Sequence, residues 1–333
     1  MIINVLVKII LTSLACVATV TDAQQRPQLP GNYPNKPIRV IVAAAQGGGT
    51  DITARLVMAK LSERWSHPIV IDNRASGVGG ALAVNLGAKA DPDGYTLLAV
   101  PSSSLIIVPL MSKVEYDVRK DFAPISRLVS GSYVLAVNAS LPVNSVRELI
   151  AYAKSKPGAL SYASPGIGTT GHLTMELFMS MTGVDMVHIP YKGTGPGTIA
   201  LIGGEVQLLF GGATSLIPHA KSGKLKALAV SSPKRSRLVP DLPTVSEAGV
   251  PGFEVTGWYS LLAPAGTPSA IILALNKEIT QILNMPNIQE MALATGTEVV
   301  PGSPAEFKNA IAKEIVLWTK LFKETNLLQK LKR

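Results

Sequence analysis

Ala43-Ala44-Ala45-Gln46-Gly47-Gly48-Gly49-Thr50-Asp51 joins an apolar run, Ile38–Val42, to an amphipathic stretch that reads as a helix over 52–64. Ser164-Pro165-Gly166-Ile167-Gly168-Thr169-Thr170-Gly171-His172 does the same between an apolar run at 160–163 and a helix read at 173–181. A strand that ends in glycines and restarts as a helix leaves several backbone N–H groups unpaired and pointing one way. The helix dipole adds partial positive charge there, so such a turn is suited to an anion. Two of them, in separate parts of one chain, suggest two lobes gripping one anionic ligand.

Around these turns strands and helices alternate. A strand at 69–72 is followed by a third glycine-rich loop, Ser76-Gly77-Val78-Gly79-Gly80, a helix at 81–90 and a strand at 96–100. Such alternation predicts an α/β fold in which each lobe is a mainly parallel sheet flanked by helices. An apolar strand at 133–137 leaves the first lobe. Ser145 then caps a helix running to about residue 154, with Glu148 placed to complete a capping box. Strands at 186–190, 206–210 and Leu225–Val230 repeat the first architecture, with Tyr191-Lys192-Gly193-Thr194-Gly195-Pro196-Gly197 as a loop. Past a Pro-rich stretch at 240–251, a strand at 258–263 is the return crossing. Helices at Ser269–Leu283 and 304–325 finish the chain, and Phe307, Ile311, Ile315 and Trp318 form an apolar stripe on the last. The expected division is a signal at 1–23, an arm at 24–37, one lobe from 38–132 plus 254–333, and a second from 133–253.

The 333 residues leave room for two domains, and 47% hydrophobic with 16% charged residues exclude a wholly disordered chain. The formal charge of +9 reads either as a solvated basic surface or as a field attracting anionic solutes. Lys and Arg are scattered. Their densest cluster, Lys234-Arg235-Ser236-Arg237, sits in a loop without interleaved aromatics, so no nucleic-acid partner is expected. Lys8, the apolar run at 9–20 and the small residues of Thr21-Asp22-Ala23 read as a secretory signal. The single cysteine, Cys16, lies inside it. A lipoprotein site is the rival reading, but Ser13 stands where that site needs Leu. Cleavage after Ala23 would leave no disulfide, no thiol chemistry and no thiolate metal site. No later run is long and apolar enough for a membrane helix, so a soluble, periplasmic protein is expected.

Gly166-Ile167-Gly168-Thr169-Thr170-Gly171 matches G-x-G-x-x-G in the strand–turn–helix setting of a dinucleotide site. Two features oppose that reading. The next strand runs into Tyr191 and Lys192, with Asp185 before it rather than an acid at its end, and an exported chain rarely meets NAD. A plain tight turn and an anion-binding nest remain, the nest being preferred, with Thr169 and Thr170 adding hydroxyl donors. No cofactor is expected. The first turn lacks the G-K-[ST] ending of a phosphate loop. Asp51 is either an N-cap or the partner of a positive group on a ligand. His67, His172, His188 and His219 show no metal spacing, and His172 either orients the second turn or is structural. Ser102, Ser103 and Ser104 lie at a strand's carboxyl end, where open α/β sheets bind ligands; they are either ligand donors or a polar loop. None lies in a G-x-S-x-G elbow, and no Ser/His/Asp set assembles, so no catalytic residue is assigned.

These residues, in this order, resemble the solute-binding proteins of tripartite tricarboxylate transporters, the Bug or TctC family. The resemblance covers nearly all of the chain past residue 24. It is carried by Tyr33-Pro34, Lys36-Pro37-Ile38, Gly47-Gly48-Gly49-Thr50-Asp51, Asp72-Asn73-Arg74 and Asp91-Pro92-Asp93-Gly94-Tyr95-Thr96-Leu97-Leu98. Asp121-Phe122-Ala123-Pro124-Ile125, Tyr162-Ala163-Ser164, Gly168-Thr169, His172-Leu173 and His188-Ile189-Pro190-Tyr191-Lys192-Gly193 continue it. Leu242-Pro243-Thr244-Val245 and Leu262-Ala263-Pro264-Ala265-Gly266-Thr267-Pro268 complete it. The chain departs from the pattern at Ala43-Ala44-Ala45-Gln46, where the family usually shows a Pro-Phe start, and at Gly211-Gly212, where an Asp-Asn pair is usual. Both departures bear on the pocket.

The resemblance implies a two-lobed periplasmic binding protein that closes on a small carboxylate, held by amides of the two turns with bridging waters. It adds Tyr191 and the loop after it as pocket wall. The expected ligand-binding residues are Gln46, Gly47, Gly48, Gly49, Thr50, Asp51, Ser102, Ser103, Gly166, Gly168, Thr169, Thr170, His172 and Tyr191. The expected partners are a small carboxylate and the membrane permease subunits of a tripartite transporter, for a monomeric protein without metal. A periplasmic sensor subunit and an exported hydrolase using one of Ser102, Ser103 and Ser104 are the rival readings.

Overall fold

The computed structural model describes residues 31–75, 80–191 and 193–324. The signal reading at 1–23, the first part of the arm and most of the third glycine-rich loop fall outside them. The described part of the arm is docked: Tyr33 is buried and donates its phenol to the Gly94 carbonyl at 2.7 Å.

Ile38–Val42 (β1), Gly49–Trp65 (α1), Ile69–Asn73 (β2), Ala81–Ala88 (α2) and Thr96–Pro101 (β3) follow the expected alternation. β1 pairs in parallel with both β2 and β3. Four of its five residues are buried, as in a strand covered on both faces. A π-helical segment, Ser103–Ile107, and a short helix, Val108–Met111 (α3), follow β3. Phe122–Asn138 (β4) comes next, then Val146–Ser155 (α4), Ser161–Ser164 (β5), Thr170–Thr182 (α5) and Val187–Pro190 (β6). Thr194–Gly203 (α6), Leu208–Gly212 (β7), Ala213–Lys221 (α7) and Leu225–Val230 (β8) complete the second half. The chain returns through Thr256–Pro264 (β9) and ends with Ser269–Leu283 (α8), Pro286–Ala294 (α9), Glu298–Val299 (β10) and Pro304–Glu324 (α10).

The strand order is β2-β1-β3-β9-β4-β7-β5-β6, with β8 and β10 also on β4. β4 has 17 residues and serves both halves. From Phe122 to Ser132 it pairs with β9, and from Tyr133 onward with β7 and β8. The two-lobed α/β fold is as expected, but its sheets are mixed rather than mainly parallel. Among the described strands, parallel pairing joins β2-β1-β3 and β6-β5-β7, whereas β4 and β9 pair antiparallel with their neighbours; a single parallel bridge also links Val230 and Thr244. A strand that leaves one half and a strand that returns to it run in opposite directions, so antiparallel pairing follows from the crossing itself.

Other differences are local. The expected strand at 133–137 is only the end of β4, whose first part carries Pro124, Ser126, Arg127 and Ser130 and so shows no apolar run. The loop expected at 191–197 is helical from Thr194. Gly193 is its N-cap, and Pro196 falls in the first turn, where a missing N–H breaks no helical bond. α7 and α9 were not expected at all. α1 and α5 begin at Gly49 and Thr170, three residues earlier than their apolar periodicity begins.

Three apolar clusters hold the layers. α1 and α8 cover one face of the first half with Val57, Leu61, Leu275 and Ile279. α6 and α7 cover the second half with Leu201 and Leu216. The largest cluster runs through both halves, from Leu105 to Phe178, Phe210, Phe253, Trp258 and Phe307. The crossing segments are therefore packed into a shared core.

Candidate ligand-binding cleft

A cleft of about 390 Å³ opens where strands end and helices begin. Thr50 reaches it from the start of α1, Ser102 and Ser103 from the turn after β3, Thr170 from the start of α5, and Gly212 and Thr214 from the start of α7. Tyr133 on β4 and Trp258 and Tyr259 on β9 line it from the crossing strands. Both halves thus contribute walls. None of its described lining residues has a charged side chain; hydroxyls predominate. Positive potential there comes from helix N-termini.

The two glycine turns are braced from inside. In the first, the Asp51 carboxylate accepts from the Gly47 N–H at 2.8 Å, Arg55 Nε at 2.9 Å and Asn73 Nδ2 at 2.9 Å. Asp51 is almost fully buried. Burial pushes its carboxyl up, but the bonds from Arg55, Gly47 and Asn73 and the charge of Arg55 outweigh burial and hold it below the usual carboxylate range. Asp51 is not the N-cap, which is Gly48. It reaches back from the first turn, as a capping-box acid does. A Cβ at Gly49 would overlap the Tyr259 phenol, so any larger residue there would have to displace that ring.

In the second turn Thr169 is the N-cap. Its hydroxyl accepts the His172 N–H at 3.4 Å and donates to the Gly166 carbonyl at 2.7 Å. His172 is buried, and its Nδ1 accepts the Gly168 N–H at 3.2 Å. An accepting Nδ1 puts a neutral ring's proton on Nε2, 3.7 Å from Glu176 Oε1. The ring stacks on His188 with centroids 4.0 Å apart, and His188 Nε2 lies 2.7 Å from Ser164 Oγ. Burial pulls the His188 pKa down to about 4. Gly168 has φ +76, a left-handed backbone conformation that favours glycine; a Cβ there would also have to displace the flexible end of Met111.

These braces change which amides face the cleft. The N–H groups of Gly47, Gly48, Gly166, Gly168 and Thr169 all have protein acceptors. Among the described residues, those of Gly49, Thr50 and Asp51 and of Thr170 and Gly171 donate to none, being the first-turn amides of α1 and α5. The glycines shape the turns, and the helix starts carry the free donors.

Of the expected ligand-binding side chains, Thr50, Ser102, Ser103 and Thr170 come together in the cleft. Gln46 is exposed and outside it. His172 and Asp51 sit behind the turns. Tyr191 points elsewhere, its phenol reaching Glu205 Oε2 at 3.4 Å. Ser102 Oγ accepts the Trp258 N–H at 3.4 Å, which ties the turn after β3 to β9. Sequence reading missed Tyr133, Thr214 and Tyr259. The β7–Gly211-Gly212–α7 junction repeats the strand–glycine–helix signal of the other turns and could have revealed Thr214. Burial raises the Tyr133 pKa to about 12, with the neighbouring Thr170 side chain opposing the rise.

The tripartite tricarboxylate transporter family receptor model, TctC, matches residues 53–327. The chain belongs to this family. Protein BugT of Bordetella pertussis is 37% identical over 295 residues, 88% of this chain and 90% of BugT. Among solved structures, R. palustris Rpa4515 with adipate is 36% identical with a TM-score of 0.70, covering 88% of this chain and 98% of that one. MatC from Rhodopseudomonas palustris with bound malate is 31% identical, with a TM-score of 0.68 over 87% of this chain and 99% of that one. A Polaromonas TctC solute-binding protein without ligand is 26% identical, yet its TM-score is 0.80 over 88% of this chain and 99% of that one. The family is one of solute-binding receptors, in keeping with the expectation drawn from the residues. Among the described residues no helix is long and apolar enough to cross a membrane.

Proposed function

We propose that this protein captures a small carboxylate in the periplasm and delivers it to the membrane subunits of a tripartite transporter, without catalysis. The observation that carries the reading is the convergence of helix N-termini from both halves on a cleft whose described lining is rich in hydroxyls and has no charged side chain. First-turn amides are rigid donors and need no buried counter-charge, whose desolvation would cost several kcal/mol. The adipate and malate held by two relatives support the ligand class.

On this reading 38–132 plus 254–333 and 133–253 are the closing lobes, with β4 and β9 between them. The better superposition on a ligand-free relative than on two more similar ligand-bound ones supports an arrangement that changes on binding. Titration calorimetry of residues 24–333 with mono-, di- and tricarboxylates, and with amines of equal size, tests the proposal. Saturable binding of one carboxylate class and none of the amines is expected. Binding of amines in preference to carboxylates would overturn it.

A further inference from the structure

A second cavity, of about 660 Å³, lies between α10 and the segment that returns to β9. Its size is in the range of small-molecule sites, roughly 300–1,000 Å³. Its walls differ in kind from those of the cleft. Leu317 on α10, backed by the buried Phe307 and Trp318, makes an apolar side together with Val300 and Pro301. Arg127 on β4, Glu254 on the returning segment, and Lys313 and Glu314 on α10 bring both signs of charge to it. Glu314 accepts the Trp258 indole N–H at 2.5 Å, and Trp258 also lines the cleft. Among the described residues, the side chains of Arg127, Glu254 and Lys313 form no salt bridge and no hydrogen bond. Burial pushes the Glu314 carboxyl up to about 7; the Trp258 N–H and Arg127 oppose this, and the nearby Glu254 charge adds to it. Three carboxylates, Glu254, Glu306 and Glu314, and two cations, Arg127 and Lys313, thus share one chamber with no ion pair at contact distance among them; Glu306 is already engaged by the N–H and hydroxyl of Ser303.

We propose that this cavity is a second binding site, for a zwitterion with an apolar tail, an amino acid of the leucine or phenylalanine type. Its carboxylate meets Arg127 and Lys313, its ammonium meets Glu254 and Glu314, and its side chain lies on Leu317, Val300 and Pro301. A zwitterion uses both signs of the chamber, whereas a simple carboxylate leaves Glu254 without a partner and Glu314 with only the Trp258 N–H, and a simple amine leaves Arg127 and Lys313 unpaired. Charge-assisted hydrogen bonds of this kind are each worth about 1.5–3 kcal/mol, roughly a tenfold to hundredfold change in affinity.

Calorimetry of residues 24–333 with L-leucine, 4-methylpentanoate and 3-methylbutylamine tests this independently of the cleft's own ligand. Leucine is expected to bind saturably, and each half-molecule at least about tenfold more weakly. Glu254→Gln and Arg127→Gln should each weaken leucine by about tenfold or more. Glu254 is exposed, so its replacement leaves the core intact. Should Arg127→Gln fail to fold, the exposed Lys313→Gln takes its place. Absence of saturable leucine binding overturns the proposal. So does leucine binding that is equal in the wild type and both variants, because that places leucine elsewhere.

Discussion

Asp51 and His172 act at the same point in their respective turns, as acceptors placed behind a glycine N–H. Removing the Asp51 carboxylate leaves the Gly47 N–H without its acceptor and costs Arg55 and Asn73 one bond each, although Arg55 keeps Asn73 Oδ1 and Asn73 keeps the Ala44 carbonyl. Asp51→Ala should therefore lose about 1–3 kcal/mol of stability in urea unfolding, and ligand affinity should fall with it as α1 loses its starting geometry. Unchanged stability would show that water replaces the carboxylate. The depressed Asp51 pKa gives stability that is present above the ordinary carboxylate pKa and lost as pH falls through the folded value. His188 adds to the same acid sensitivity. Its neutral form is favoured by burial, so its contribution is intact above about pH 6.5, the unfolded value, and declines as pH falls toward about 4. A His188→Gln variant should show a shallower loss of stability across that window, measured by denaturant midpoints at stepped pH. Equal slopes would remove His188 from the account.

At the scale of elements, two N-caps offer a controlled comparison. Ser145 caps α4 by accepting the Glu148 N–H at 3.2 Å, and Glu148 returns a bond to the Asn144 N–H at 2.8 Å. Thr169 caps α5 beside the cleft. Ser145→Ala and Thr169→Ala should each cost about 1 kcal/mol of stability. Only Thr169→Ala should also weaken carboxylate binding, because its helix start presents the free amides of Thr170 and Gly171. Equal affinity in both variants would mean that α5 contributes no donor to the ligand. The Ser145 cap of α4 was legible because Ser145 and Glu148 stand at a fixed local spacing; the capping box expected there is displaced by one residue, Glu148 taking the Asn144 N–H rather than that of Ser145. The start of α5 was misplaced because its first turn, Thr170-Gly171-His172, has no apolar periodicity. It is defined by the Thr169 hydroxyl and by the His172 imidazole folding back onto Gly168.

Across the whole molecule, the proposed mechanism needs the halves to move about β4 and β9. A ligand shifts such an equilibrium only by its differential affinity for the two arrangements. Small-angle scattering should show a smaller radius of gyration at saturating carboxylate, and an unchanged radius would refute closure. The shared core sets the constraint on this motion. Phe210 stacks on Phe253 with ring centroids 6.0 Å apart, and Phe253 immediately precedes the segment returning to β9. Closure must therefore bend the crossing strands without opening that stack.

Sequence by itself determined the alternation of strands and helices, the two glycine turns, the Ser145 cap and the family, because each rests on residues close together in the chain. The expectation of an anionic ligand rests on equally local evidence, since the dipole and free amides of a helix start are properties of neighbouring residues. Tertiary structure alone decided which amides remain free, since the acceptors that engage the other glycines depend on how the helix and the turn fold back together. It brought Tyr133, Thr214 and Tyr259 to the cleft and turned Tyr191 away toward Glu205. It also made β4 one strand of 17 residues with antiparallel partners on both sides. Strand partners are chosen through space, by the return of β9 some 120 residues later, and hydrophobic periodicity along the chain carries no record of that meeting.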